Sequence, residues 1–467
     1  MTESDPDPHQ STAAIILATG PTERMQSRRA TSLHALAGRP MAVYPSQAAL
    51  DNGCFTVVIS GSAETSALED YFSAAYGCVF LSKAKWLEAA FSVIPDTVGT
   101  VLLISGAMPL LSEEIMARLV QHQQETASHL VVLAFPTADA PQSSGGLMRD
   151  AAGRIERILT HEDAMRDPRA ECFSTSVMCV ARAWLQEHRE AIPVQDEGCP
   201  AALAALAVAE GARIETVHHT GTDVELIFVE DRADLALAET TLRARIRTRA
   251  MRGGVTFVDP ATVWIDDTVT FGRDITILPN CHLYGDTVIG DNCTLGPNSR
   301  LQDTRLAANV TVMESVLEGA EVGENVRIGP FAHLRPGTVI ANDVEIGNYA
   351  ELKNTRVSPG AKIHHVGYLG DTVVGNDVNV GAGTITCNYD GADKHETEIG
   401  EGAFIGSGTL LVAPVRVGSK AMTGAGSVVT RDVPPQAKAY GVPARVRGVR
   451  ALPAETEQER SDEKRGA

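Results

Sequence analysis

The sequence predicts an α/β chain in two parts. A doubly wound sheet with flanking helices comes first, then a connecting helix, then a parallel β-helix of hexapeptide repeats. Three observations predict this. Up to about residue 230, short apolar runs alternate with amphipathic stretches. One unbroken helical pattern follows over 232–254. Beyond it, aliphatic residues recur every six positions.

In the first part, "AAIILA", "FTVVIS", "VLLIS" and "LVVLAF" read as buried parallel strands, because they are apolar on both alternating faces. "SEEIMARLVQHQQE" reads as a helix, with Ser112 as N-cap and Glu113 and Glu114 in its first turn. Strands alternating with helices imply a doubly wound sheet over 13–231. "RADLALAETTLRARIRTRAMRGG" is one helix, with Leu235, Ala238, Leu242 and Ile246 on one face and Gly253–Gly254 ending it. Five arginines crowd its last turns, which suits the helix dipole.

The third part spans 255–450. Ile265, Phe271, Ile277, Leu283, Ile289, Leu295 and Leu301 are six apart. After a three-residue slip the register is expected to resume at Val310. It continues through Val316, Val322, Ile328, Leu334, Ile340, Ile346 and Leu352, returns at Val374 and Val380, and again at Ile399, Ile405, Leu411 and Val417. Each unit makes a short strand and a corner, and three units make one coil of a triangular prism. No coil buries its core alone, so the stack folds through neighbour contacts. The register skips between Thr386 and Ile399, so "CNYDGADKHETE" is expected to leave the prism as a loop.

Composition narrows the function classes. The chain has 467 residues, 44% hydrophobic and 21% charged, with a formal net charge of −19. That balance disfavours non-specific nucleic acid or anionic membrane as a partner, and it argues against reading the arginine cluster as a nucleic-acid patch. No run of about 18 apolar residues is present. Eight cysteines are scattered without a CxxC, which reads as free thiols in a reducing cytoplasm rather than a zinc site. Residues 1–12 and 451–467 are polar and read as disordered tails.

"GPFAHLRPG", "GNYAELKN", "HHVGYLGD" and "NVGAGTITCNYDG" resemble the C-terminal half of the bacterial bifunctional N-acetylglucosamine-1-phosphate uridyltransferase / glucosamine-1-phosphate N-acetyltransferase family. The resemblance covers almost the whole chain in order. It implies a left-handed β-helix, a homotrimer, acetyl-CoA as co-substrate and glucosamine 1-phosphate as acceptor, in the route to UDP-N-acetylglucosamine for peptidoglycan and lipopolysaccharide. Amide formation from a thioester needs a base, an anion site and a groove for CoA, and no metal. His365 is the expected base, since an imidazole titrates near working pH. His364 is expected to point to the opposite face if the strand is regular. Arg335 and Lys353 are the phosphate candidates. Eighteen residues separate them, one full coil, which stacks them about 5 Å apart along the axis. By resemblance Tyr368 and Asn379 contact the sugar, with Asn388 and Tyr389 beside it and on the cofactor side. Ala382, Ser407 and Ala425 line the acetyl-CoA groove. Gly441 stands where many members carry an arginine, and Arg445 or Arg447 is the candidate to replace it.

The family's first domain carries the signature LAAGxGTRMxSxxPKxLHxLAGxPM, and residues 17–41 read "LATGPTERMQSRRATSLHALAGRPM". Leu17, Ala18, Gly20, Arg24, Met25, Ser27, Leu33, His34, Ala37, Gly38, Pro40 and Met41 keep the frame. The chemistry is eroded. Thr22 and Glu23 replace the loop's glycine and its neighbour, and Thr31 replaces the lysine that neutralises phosphate charge. Ala107 replaces the aspartate expected to hold Mg²⁺, so no metal is expected unless the site is active. Gly145 survives in "SSGGL", but Thr160 and Ser174 replace the family's glutamate and asparagine. Glu230 or Asp231 falls where the second metal ligand is expected. The reading is an acetyltransferase whose uridyltransferase domain is degenerate. A fully bifunctional enzyme and a non-catalytic scaffold are the alternatives.

Overall fold

The computed structural model describes residues 11–18, 24–60, 72, 78–82, 86–135, 144–191, 199–219 and 223–450. Gly20, Thr22, Glu23 and both predicted tails, apart from Ser11 and Thr12, lie outside the described residues. The chain divides into two compact units, Met1–Ala244 and Arg245–Ala467, and the division falls inside the helix Arg232–Arg252.

In the first unit the strands are β1 (Thr12–Ala18), β2 (Phe55–Ser60), β3 (Val79–Ser82), β4 (Thr100–Ser105), β5 (Leu130–Phe135), β6 (Ser144–Arg149), β7 (Ile155–Leu159), β8 (Glu171–Ala181) and β9 (Ile214–His218). Their order is β9-β5-β8-β4-β1-β2-β3, with β6 paired to β8 and β7 paired to β6. All four apolar runs singled out above are strands of this sheet, and β1 starts one residue earlier than expected. The sheet is not wholly parallel. β8 inserts between β4 and β5 and runs antiparallel to both. Its sequence "ECFSTSVMCVA" carries Ser174, Thr175 and Ser176 at its middle, which hid it from a search for apolar runs. The helix Glu113–Thr126 begins as predicted, with the Ser112 hydroxyl accepting from the Ile115 amide. Burial pushes the Cys54 thiol up to about 11 and the Cys78 thiol to about 12, so both stay protonated and inert. No helix of the described residues is long and apolar enough to cross a membrane.

The helix Arg232–Arg252 buries Ala238, Leu242 and Ile246, as its spacing requires, while Leu235 is only half-buried. Part of its arginine cluster is occupied locally. Arg249 pairs with Asp267 at 2.7 Å and Arg247 donates to the Val263 carbonyl at 3.2 Å.

The second unit is a left-handed parallel β-helix of three sheets, with 12, 10 and 9 strands. Each coil pairs with the next in register: Ile265 opposite Leu283, Leu283 opposite Leu301, Leu334 opposite Leu352. The inward residues form continuous apolar columns that are almost wholly buried. One expectation is corrected. The three-residue slip is not a single event, because three five-residue units absorb it. The inward residues run Leu301, Leu306, Val312, Leu317 and Val322. Val316 begins its strand facing outward and pairs with His333, so Leu317 occupies the core position assigned above to Val316. Likewise Val312, not Val310, is the strand's inward residue, although Val310 is also buried at the preceding corner. The cause is a shortened corner. Losing one corner residue moves the strand without breaking coil-to-coil pairing, whereas a slip within a strand would invert its faces.

This assignment is testable. Leu317→Ala leaves a cavity in the column and should cost about 2–5 kcal/mol. Val316→Ala should cost no more than about 1 kcal/mol, the span of a strand propensity effect. Urea unfolding of both variants compares them, and equal losses would reject the corrected register.

Candidate functional site

Along one edge of the prism, every coil passes from the 12-stranded to the 10-stranded sheet. The corner after the inward residue Ile363 is His364–His365–Val366. In the next three coils the equivalent corners are Gly381–Ala382–Gly383, Gly406–Ser407–Gly408 and Gly424–Ala425–Gly426. Backbone bonds tie them one above another. Gly383 N donates to Val366 O at 2.6 Å, Gly408 N to Ala382 O at 2.6 Å, and Gly426 N to Ser407 O at 2.8 Å. The structure therefore brings His365, Ala382, Ser407 and Ala425 onto one edge.

A side chain on the first glycine of each corner would run into the next coil. A Cβ on Gly381 would lie 2.6 Å from Ser407 N, and one on Gly406 2.6 Å from Thr423 O. Close stacking of coils thus requires glycine there. The outer glycines meet little or nothing, since a Cβ on Gly426 would have no atom within 4 Å. The result is a smooth, open strip three coils long beside His365.

His365 is exposed. The regular strand assumed for the two histidines is absent, because both lie in the corner. Their rings meet edge to face with centroids 6.2 Å apart. His364 is the tethered one, with Nε2 3.0 Å from Glu345 Oε2. Asn379 lies on the 12-stranded face before this edge, between Lys362 and Phe404, and Tyr368 lies on the 10-stranded face after it.

The 10-stranded face carries the charge. Arg335 N donates to Leu352 O at 2.8 Å, which seats Arg335 next to Lys353 in the coil above, as the spacing predicts. The Arg335 guanidinium is also 3.0 Å from Glu351 Oε1, both groups half-exposed. Lys353 lies opposite Gly370, over which the Tyr368 hydroxyl and the Asn388 amide converge. Asp371 follows directly, accepting from Asn354 Nδ2 at 2.7 Å and from Asn388 Nδ2. Burial pushes the Asp371 carboxyl up. The two amides and the ammoniums of Lys353 and Lys394 outweigh it and hold the carboxyl below the usual range.

Lys394 comes from the predicted loop, which does leave the prism between the strands Thr384–Cys387 and Thr397–Ile399. Asp390 braces it by accepting from the amides of Ala392 and Asp393, both at 2.8 Å, and from His395 Nε2 at 2.7 Å. Tyr389 bridges to Lys394 across the hairpin. The neighbouring Lys353 ammonium pulls Lys394 below the ordinary lysine value. Two adjacent ammoniums stabilise each other poorly and an anion well. Sequence reasoning missed Lys394, Asp371 and Asn354. Lys394 is the loop's single lysine, which was the available signal. Asn388 and Tyr389 join this charged cluster rather than the edge that carries Ala382, Ser407 and Ala425.

In the first unit the positions that depart from the expected signature gather at two places. Leu17 and Ala18 end β1, and Ala107 lies just beyond the neighbouring β4, with 3% exposure. Val229 N donates to Ala107 O at 3.0 Å, which brings Glu230 alongside. The Glu230 carboxylate is ion-paired with Arg24. Asp231 Oδ1 accepts from the amides of Ala233 (2.7 Å) and Asp234 (2.9 Å), the work of a helix cap. Thr31 is buried in a short 3₁₀ turn. The second place is β6 and β8. A Cβ on Gly145 would strike the Phe173 ring at 2.5 Å, so packing alone requires this glycine. Thr160 caps the helix His161–Arg166 through Asp163. The Ser174 hydroxyl accepts from the Ser176 amide at 3.3 Å, and Ser144 Oγ is 2.9 Å from His161 Nδ1.

A nucleotidyltransferase-like α/β unit followed by a hexapeptide β-helix defines a class of two-part transferases. Comparison with known proteins specifies it. The bifunctional protein GlmU of Trichlorobacter lovleyi is 39% identical over 438 residues, covering 91% of this chain and 95% of the relative. That of Methylococcus capsulatus is 40% identical over 432 residues, covering 90% and 93%. The chain belongs to the GlmU family. The family profile of the GMPPB C-terminal domain matches residues 263–366, within the β-helix. A solved CMP:2-keto-3-deoxy-manno-octonic acid synthetase complexed with CTP covers 50% of this chain and 100% of its own, at 15% identity and a TM-score of 0.40.

The depressed Asp371 carboxyl fixes a pH dependence. A lowered carboxyl adds stability above the ordinary aspartate value of about 3.9 and loses it as pH falls through the folded value. Wild type should therefore exceed Asp371→Asn in urea midpoint near neutral pH, and the gap should shrink as pH falls below the ordinary aspartate value. A gap independent of pH would refute this.

Proposed function

We propose that this chain transfers the acetyl group of acetyl-CoA to the amine of glucosamine 1-phosphate, as a homotrimer, and that its N-terminal unit has lost uridylyl transfer. The observation that carries the reading is the single edge joining exposed His365 to a smooth three-coil strip, flanked by a cluster of cations. The strip suits an extended pantetheine arm, and Arg335, Lys353 and Lys394 suit the sugar phosphate. His365 takes a proton from the acceptor nitrogen as that nitrogen attacks the thioester carbonyl. The C–N bond forms, the C–S bond breaks, and the coenzyme thiolate leaves and is protonated. Tyr368 and Asn379, on the two faces beside the edge, orient the sugar.

Loss of the first reaction rests on chemistry in the first unit. When bound, Mg²⁺ would neutralise triphosphate charge. The described residues fit it poorly, since Ala107 brings a methyl group and Arg24 holds the Glu230 carboxylate. Thr160 and Ser174 serve local backbone instead of a sugar. The fully bifunctional reading is favoured by the relatives' printed name, and one paired assay separates the two. CoA release with acetyl-CoA and glucosamine 1-phosphate should be robust. Pyrophosphate release from UTP, Mg²⁺ and N-acetylglucosamine 1-phosphate should stay at background, and turnover there would restore the bifunctional reading. Absence of both activities, with ready assembly onto an active GlmU, would favour a scaffold.

Replacing the base gives a sharper test. His365→Ala should lower CoA release by about 10²–10⁴-fold, the usual worth of a positioned base. His364→Ala should spare most of it. Equal effects of the two would remove His365 from the role.

A further inference from the structure

Outward side chains at the third corner position change abruptly at His365. In the three coils on its C-terminal side this position is Gly383, Gly408 and Gly426, with φ of +74°, +70° and +69°. In the His365 corner itself it is Val366, and in the two coils before it Tyr349 and Phe331. Tyr349 and Phe331 hold φ of +58° and +62°, a region that a bulky side chain rarely adopts. An earlier coil solves the same corner with Asn298 at +53°. The two rings stack, with centroids 5.1 Å apart and planes 20° from parallel. None of the three side chains is packed away: Val366 is 55% exposed, Tyr349 57% and Phe331 48%. A glycine floor therefore runs into an apolar ridge, and the step falls at the candidate base.

We propose that Val366, backed by Tyr349 and Phe331, is the end wall of the acyl-donor groove and restricts the donor to a short acyl chain. The inference rests on the reading that the donor lies along the glycine strip with its thioester at His365. A chain extended beyond the carbonyl then meets the Val366 side chain, and one coil further it meets the Tyr349 ring. Coils are about 5 Å apart, the span of roughly four extended carbons. The wall acts by exclusion, and it is apolar, so its removal exposes no unpaired polar group. The aromatic pair behind it stiffens the ridge, because stacked rings have few low-energy alternatives.

The test is a donor series of acetyl-, propionyl-, butyryl- and hexanoyl-CoA with glucosamine 1-phosphate. It is run on wild type, Val366→Ala, and the double variant Val366→Ala/Tyr349→Ala, and the readout is the kcat/KM ratio to acetyl-CoA within each protein. Val366→Ala should raise the butyryl ratio by about 10-fold or more, within the roughly 10–200-fold worth of pocket methylenes. The double variant should extend that gain to hexanoyl-CoA. Unchanged ratios in both variants would overturn the wall. Should a variant lose turnover, the ratio of butyryl-CoA to acetyl-CoA Kd by calorimetry replaces it, and an unchanged ratio again overturns the proposal. Wild type that binds acetyl-CoA but releases no CoA would instead defeat the transfer reading, leaving the binding ratios to judge the wall.

Discussion

The second unit depends on one constraint. An aliphatic side chain at the inward position of a coil is buried only by the coils above and below it. Leu283, Leu301, Leu317, Leu334 and Leu352 form one such column, each opposite the next and none of it exposed. Parallel pairing holds neighbouring coils at sheet spacing, about 4.8 Å. Every surface residue of the coils inherits that pitch. Arg335 sits beside Lys353 because their neighbours Leu334 and Leu352 share a column, and the corner residues stack because the columns do.

The corners are where the same constraint leaves room. Shortening one by a residue is tolerated, as the units after Leu301, Val312 and Leu317 demonstrate, since the strand simply advances. Lengthening one is tolerated too, and the loop that carries Lys394 enters in this way between Thr386 and Ile399. The candidate site residues lie at these permissive points. The base candidate, the glycine strip and the apolar ridge occupy one edge. The loop brings its lysine to the far side of the adjoining face, against Lys353 and Asp371.

The first unit illustrates the converse. Its sheet is held by apolar strands whose packing is indifferent to the residues at their C-terminal ends. Ala107 stands where an aspartate was expected and its amide still donates to Ser105 Oγ at the end of β4, and Thr160 stands where a glutamate was expected and still starts a helix. Gly145 persists for a reason unconnected with ligand, the Phe173 ring that occupies its face. A fold of this kind tolerates substitution at those ends, which is why the frame of the 17–41 segment remains recognisable.

By itself the sequence determined the two architectures, the connecting helix, the loop excursion, and the pairing of Arg335 with Lys353. Each follows from a local period, and a period is written in consecutive residues. The tertiary structure decided what depends on distance along the chain. It inserted β8 antiparallel between β4 and β5, where Val177–Ala181 pairs with strands distant in sequence that no local pattern announces. It moved the core position from Val316 to Leu317, because the neighbouring coils, rather than a strict count of six, choose the inward side chain. It also brought Lys394 and Asp371 to Lys353 from separate coils, since electrostatic partners are selected by proximity in space.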